Sequence, residues 1–212
     1  MQLKIALAAS IVFLTASGAA CKTVEYCGYA GDVPGAYGPF DYRTATKEQK
    51  YLVEIAGGHF TPSVEALKSG TTSTLGGEMN YTLNAFPNHP RALMAMIRLG
   101  QRDKTDKPKG SRHTIECWLE RAIQFRPDDL SVKQIRGVYY SMQKQYRMAI
   151  ADFELVVEQE PDNANAHYNL GLAYLEVGDY DRALTEAKKA RSLGFPLAGL
   201  QDKLKAKGKW QE

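Results

Sequence analysis

The chain has 212 residues, 44% of them hydrophobic and 24% charged, and 27 basic against 24 acidic side chains leave a formal charge of +3. That balance excludes a strong one-signed field over the whole surface. The length suffices for one domain with a sizeable core.

Residues 1–20 read as a secretory signal peptide: Lys4 gives the positive start, residues 5–14 are apolar, and residues 15–20 are mostly small. The apolar run is too short to span a membrane. Cys21 follows Gly18, Ala19 and Ala20, as the modified cysteine of a bacterial lipoprotein would, although Gly18 stands where that signal usually carries leucine. The expectation is an exported, periplasmic protein, associated with the envelope membrane only if Cys21 carries lipid. An exported chain seldom meets nucleic acid, so that partner is discounted.

Residues 21–45 are rich in Gly, Tyr and Pro and predict an extended strap. Within 46–89 the spacing turns helical over 48–56, over 63–68 behind the Thr61–Pro62 pair, and over 78–86. Pro90 then opens a helix over 91–99, and 114–125 reads as its partner, giving a unit over 90–129. Between them, residues 100–111 (GQRDKTDKPKGS) lack apolar periodicity and predict a solvent-exposed loop. With its flank this loop carries Arg98, Arg102, Lys104, Lys107, Lys109 and Arg112 against Asp103 and Asp106. Such a basic cluster can attract acidic groups.

From 130 onward the chain repeats itself. Gly137, Tyr140, Tyr146 and Ala149 recur in step as Gly171, Tyr174, Tyr180 and Ala183. Pro127 and Pro161 share the same offset. The small residues suit close approach of two antiparallel helices, and the rings suit the seam between hairpins. The units fall at 130–163 and 164–197, and residues 198–212 supply a short capping helix and tail.

This pattern resembles the tetratricopeptide repeat family, in which each helix–turn–helix hairpin takes about 34 residues. The first copy departs from the family at Arg136, where an apolar residue is usual, and at Lys144, where a turn glycine is usual. In the last copy Ala187 replaces an aromatic, which predicts looser C-terminal packing. The resemblance implies an all-α fold, a right-handed superhelical stack of antiparallel hairpins preceded by the strap. It implies a scaffold or adaptor and not an enzyme, holding a protein or peptide of a cell-envelope assembly and needing no cofactor. By the same resemblance the first helix of each hairpin lines a groove of Gln134, Val138, Ser141, Met142, Tyr168, Asn169, Leu172 and Glu176. Asn169 matches an asparagine that family members use to hold a peptide backbone.

The remaining chemistry is sparse. If Cys21 carries lipid, Cys27 and Cys117 remain as an even pair, and a Cys27–Cys117 disulfide would staple the strap to the helices. If Cys21 is unmodified, Cys21–Cys27 is also open. Cys27–Cys117 is favoured. His113, Glu116 and Cys117 lie close together, and His113 and Cys117 share a helical face. They support an alternative reading as an envelope enzyme or metal-binding protein, but nothing in the sequence completes either site, and no metal ligand set is assigned. His167 reads as a packing residue.

Overall fold

A computed structural model describes residues 27–29, 37–196 and 198–210. The expected signal peptide and Cys21 lie outside the described residues. Every regular element among those described is helical: α1 (Lys47–Tyr51, continuing as a π-helical turn Leu52–Ala56), α2 (Pro62–Glu65), α3 (Leu75–Ala85), α4 (Pro90–Asp103), α5 (Ile115–Phe125), α6 (Leu130–Met142), α7 (Tyr146–Gln159), α8 (Ala164–Glu176), α9 (Tyr180–Ser192) and α10 (Gly199–Ala206). Successive helices stack as hairpins around an apolar core that runs from Phe60 to Leu204, and Val53, Ala85 and Phe86 form a second, smaller cluster with Phe40 and Tyr42.

Two recurring turns set the stack. The first joins one hairpin to the next, and its proline dictates it. Phe86, Arg126 and Glu160 each precede a proline and leave the helical region with φ near −130° and ψ between 71° and 84°. Shortly after, His89, Asp129 and Asn163 cap the following helix through their side chains. The second turn closes each hairpin. Lys104, Lys144 and Gly178 all have positive φ (52°, 59° and 82°). Behind them the amides of Thr105, Gln145 and Asp179 return to the carbonyls of Gly100, Tyr140 and Tyr174.

Each of these turn residues follows its own proline (Pro87, Pro127 or Pro161) at one and the same interval. The first helix of the upstream unit therefore keeps the register of the later ones and runs on to Asp103. The boundaries read from sequence need correction here: the helix is 90–103 and not 91–99, and the extra residues of this unit fall after Lys104. The second half of the insertion is also not a free loop. Pro108 and Ser111 are buried, Thr74 Oγ1 donates to the Lys109 carbonyl at 2.9 Å, and Arg112 N–H donates to Asn80 Oδ1 at 2.9 Å. Trp118 Nε1 donates to Ser111 Oγ at 2.9 Å, so the insertion roofs the α5 tryptophan.

The helices nest closely where glycine permits it. A β-carbon on Gly137 would lie 2.7 Å from the Phe153 ring, and one on Gly171 would lie 2.5 Å from Leu200 Cδ2. Phe153 on α7 thus covers Gly137. Its counterpart in the next repeat is Ala187, too small to reach Gly171. Leu200 of α10, 1% exposed, enters instead. The loosening expected at Ala187 is met in part by the cap. Arg136 is compensated in a similar way, forking onto buried Asp152 at 2.9 and 2.8 Å with Glu120 at 3.2 Å.

The strap is stapled and clamped. Cys27 is disulfide-bonded to Cys117, with Cα atoms 5.1 Å apart across a separation of 90 residues. Closing a loop of that length stabilises the fold by about 4–5 kcal/mol in the chain-entropy model. Arg121 Nη1 donates to the Cys27 carbonyl at 2.9 Å. Farther on, Phe40 N–H donates to the Ala85 carbonyl and Tyr42 N–H to Asn88 Oδ1. Asp41 receives Arg43, Asn88 and Arg126, and these donors, against the opposing effect of burial, hold its carboxyl well below the usual carboxylate range.

His89 lies beneath this clamp with no exposed surface. Its Nδ1 accepts from Ala92 N–H at 3.3 Å, its ring stacks on Tyr42 with centroids 3.9 Å apart, and Nε2 lies 3.3 Å from Glu54 Oε1. That last approach is an electrostatic contact and not an aligned hydrogen bond. Burial pushes the His89 pKa below its ordinary value, against the pull of Glu54.

These contacts set measurable stabilities. Leu200→Ala should destabilise the protein by about 2–5 kcal/mol, the cost of a buried cavity, measured by denaturant unfolding. Lys144→Gly should stabilise it by about 1 kcal/mol, because a side chain is strained at positive φ. For His89, the unfolded chain takes up a proton near pH ~6.5 that the folded chain resists, so stability should fall as pH drops from about 7 towards 5. At Glu54 burial raises the pKa, but His89, Tyr42 and Arg91 outweigh it and hold the group below its ordinary value, which adds a further loss at lower pH. The expected result is a shallower pH dependence of melting in His89→Gln than in the wild type; identical slopes would show that His89 is not responsible.

Candidate partner-binding groove

The eight groove residues implied by the repeat divide into two groups. On α6, Val138 and Ser141 are half-buried and Met142 is 42% exposed. Gln134 is tied down, its Oε1 accepting from Asn163 Nδ2 at 3.2 Å. On α8 the side chains are engaged by neighbours. Tyr168 stacks on Phe195 with centroids 4.2 Å apart. Asn169 Nδ2 donates to Asn165 Oδ1 at 2.6 Å, Leu172 packs against the core, and Glu176 pairs with Lys203 at 3.4 Å. The cap therefore occupies much of the α8 face, and Tyr168 does not stand free as an anchor.

Of the α6 group only Met142 opens onto a cleft; Gln134, Val138 and Ser141 do not line it. Met142, Tyr139 and Gln143 form one wall, Ile97, Gly100 and Gln101 of α4 the other, and Lys104–Asp106 with Ile115 close the end, around a volume of about 270 Å³. Its chemistry is mixed. Met142 and Ile97 offer apolar surface, Gln101 and Gln143 offer amide donors and acceptors, and Lys104 and Asp106 bring opposite charges. Burial, aided by the negative fields of Glu116 and Asp106, pushes the Tyr139 hydroxyl up to about 12, so it stays a neutral phenol at physiological pH. Lys107 and Lys109 have no ion-pair partner among the described residues, whereas Arg102 pairs with Asp103 and donates to the Leu67 carbonyl.

Gln101, Lys104, Tyr139 and Gln143 did not emerge from the repeat pattern as groove residues. The signal that could have found them is the constant interval from proline to turn, which, counted from Pro87, places Lys104 at a hairpin turn equivalent to Lys144, the neighbour of Gln143.

The alternative centre at His113, Glu116 and Cys117 is not assembled. The Cys117 sulfur is spent in the disulfide, so it is neither thiolate nor metal ligand in this form. His113 lies edge-on to Trp118 at 4.9 Å, and Glu116 is exposed. Among the described residues no three His, Cys, Asp or Glu side chains are grouped to hold a metal ion. His167 is a structural residue, with Nδ1 2.5 Å from Glu186 and Nε2 2.9 Å from the Pro161 carbonyl. No helix among the described residues is long and apolar enough to cross a membrane.

Comparison with known proteins agrees with this architecture. A TPR repeat model matches residues 138–178, and a tetratricopeptide repeat model matches 164–194. Human Superkiller complex protein 3 is 34% identical over 84 residues, 36% of this chain and only 5% of that protein's length. The solved structure of MamA AMB-1 superposes with a TM-score of 0.51 at 20% identity, covering 76% of this chain and 84% of that one, a likeness of fold. The repeated turns, the glycine seams and these matches together show tetratricopeptide repeats over residues 138–194.

Proposed function

We propose that the protein is an exported scaffold that holds a peptide or protein segment of a cell-envelope assembly in the cleft between α4, α6 and the insertion. The observation that carries this reading is the convergence of Met142, Gln101, Gln143 and Lys104 on an open volume of about 270 Å³ whose walls are helices packed into the core. A groove of apolar surface with a few placed amides and charges suits an extended chain. Export rests on the signal-like residues 1–20, and membrane attachment on Cys21.

The test is capture of partners from envelope extracts. Met142→Glu combined with Lys104→Glu alters two exposed side chains and should leave the melting temperature unchanged. Capture should weaken about tenfold or more, as for central interface residues, while Glu158→Gln, an exposed change on α7 outside the cleft, should have no effect. Equal capture by the groove variant would place the partner elsewhere. Mass spectrometry of protein from the envelope should find residues 1–20 removed, and acyl chains on Cys21 if the chain is anchored.

A further inference from the structure

A second opening lies at the C-terminal end, apart from the cleft. Tyr168, Ala187, Ala190, Phe195 and Leu200 supply most of the apolar wall of a cavity of about 230 Å³, which Arg191 and Trp210 also line. Its origin is the substitution already described. Leu200 fills the seam over Gly171 but does not replace the whole ring that Phe153 supplies in the preceding repeat, and Ala187 and Ala190 leave the α9 wall low.

Two polar groups in its wall share one character. Arg191 is exposed and has no ion-pair partner among the described residues. The indole N–H of Trp210 is screened from solvent and has no hydrogen-bond partner among the described residues. Both only donate, and none of the described lining residues is acidic. The neutral amide of Gln201 also lines the cavity, but it leaves the guanidinium charge unmatched. A carboxylate suits the two donors, since the guanidinium fork matches its two oxygens. The size sets the rest of the ligand: an apolar cavity of about 150 Å³ accommodates benzene, so one ring with a short tail fits here.

We propose that this cavity binds a small apolar carboxylate, a single ring or its aliphatic equivalent, with the apolar body against Ala187, Ala190 and the Tyr168–Phe195 stack and the carboxylate towards Arg191 and Trp210. The acid is either a free metabolite-sized molecule or the last residue of a chain.

Titration with 3-phenylpropionate, followed by tryptophan fluorescence, tests the assignment. The chain has two tryptophans, and Trp118→Phe leaves Trp210 as the reporter. Saturable binding should appear, and 3-phenylpropan-1-ol, with the same body and no charge, should bind about tenfold more weakly. Arg191→Gln, a surface change that leaves the fold intact, should abolish the preference for the acid. Ala190→Leu should remove binding of both compounds. A pentapeptide ending in Phe, compared with its C-terminal amide, separates the sources: tighter binding of the free-carboxylate peptide assigns the site to a chain terminus, and binding of phenylpropionate alone assigns it to a free acid. Absence of saturable binding to the acid and to the peptide would overturn the proposal, as would an acid preference that survives Arg191→Gln.

Discussion

The close approach of paired helices at Gly137 and Gly171 governs much of the rest. With no side chain at these positions, something from outside must fill the space above the backbone, since an unfilled void forfeits dispersion contacts on every side. Phe153 fills it once and Leu200 fills it the second time. The cap is therefore more than a polar lid on the last hairpin, because one of its leucines is part of the seam. Upstream the close approach is displaced along the helix, to Gly100. Counted from the prolines, Ile97 and Gly100 of α4 stand where α6 has Gly137 and Tyr140, so bulk and glycine have changed places along the helix. With Ile97 at the seam, α4 and α5 contact one another far less than α6 and α7 do. At Gly100 a β-carbon would lie 2.2 Å from Ile115 Cδ1 and 2.7 Å from the Thr105 carbonyl oxygen, so the insertion and the start of α5 close over that glycine.

The strap solves a different problem. The proline turns between hairpins leave backbone and capping groups at one edge of the stack, and the strap supplies their partners. Asn88 spans two of these turns, donating to Asp41 and to Asp129, each at 2.8 Å. Asp129 also caps α6. Arg126 reaches Asp41 from the second turn. A buried carboxylate is costly unless it is fully paired, and here three donors serve Asp41. The disulfide lowers the entropy of the open chain, while this polar cluster fixes where the strap lies.

The repeats are legible in sequence because their cause is local: a glycine, a tyrosine and a proline at fixed steps specify a hairpin before any distant contact forms. The Cys27–Cys117 bridge is legible for a related reason, since few pairings exist among three cysteines. The start of the insertion is not, because apolar periodicity fades at Gly100 while the helix continues to the turn residue Lys104. Its anchoring to Thr74 and Asn80 has no local signature, being set by residues 32 to 35 positions away. The Asp41 cluster joins residues as much as 85 apart and leaves no pattern to read. Within the groove, Met142 alone follows from repeat position, and the state of Tyr168 does not, because Phe195 covers it from a segment that follows the last matched repeat.

The two openings described above lie where the repeat departs from itself. A regular array presents nearly the same surface at every step, and each side chain has a neighbour of fixed size one unit away. Put isoleucine where the next helix has glycine, and glycine where it has tyrosine, and the neighbouring hairpin no longer matches. With extra residues after the turn as well, the cleft of about 270 Å³ is left. Shorten the expected aromatic to Ala187, and the cap fills only part of the gap, leaving about 230 Å³. The regular positions thus supply rigidity, and the irregular ones supply shape and unpaired polar groups. Specificity in such a fold is built from mismatches that the surrounding repeats are stiff enough to preserve, because a softer core would have collapsed into them.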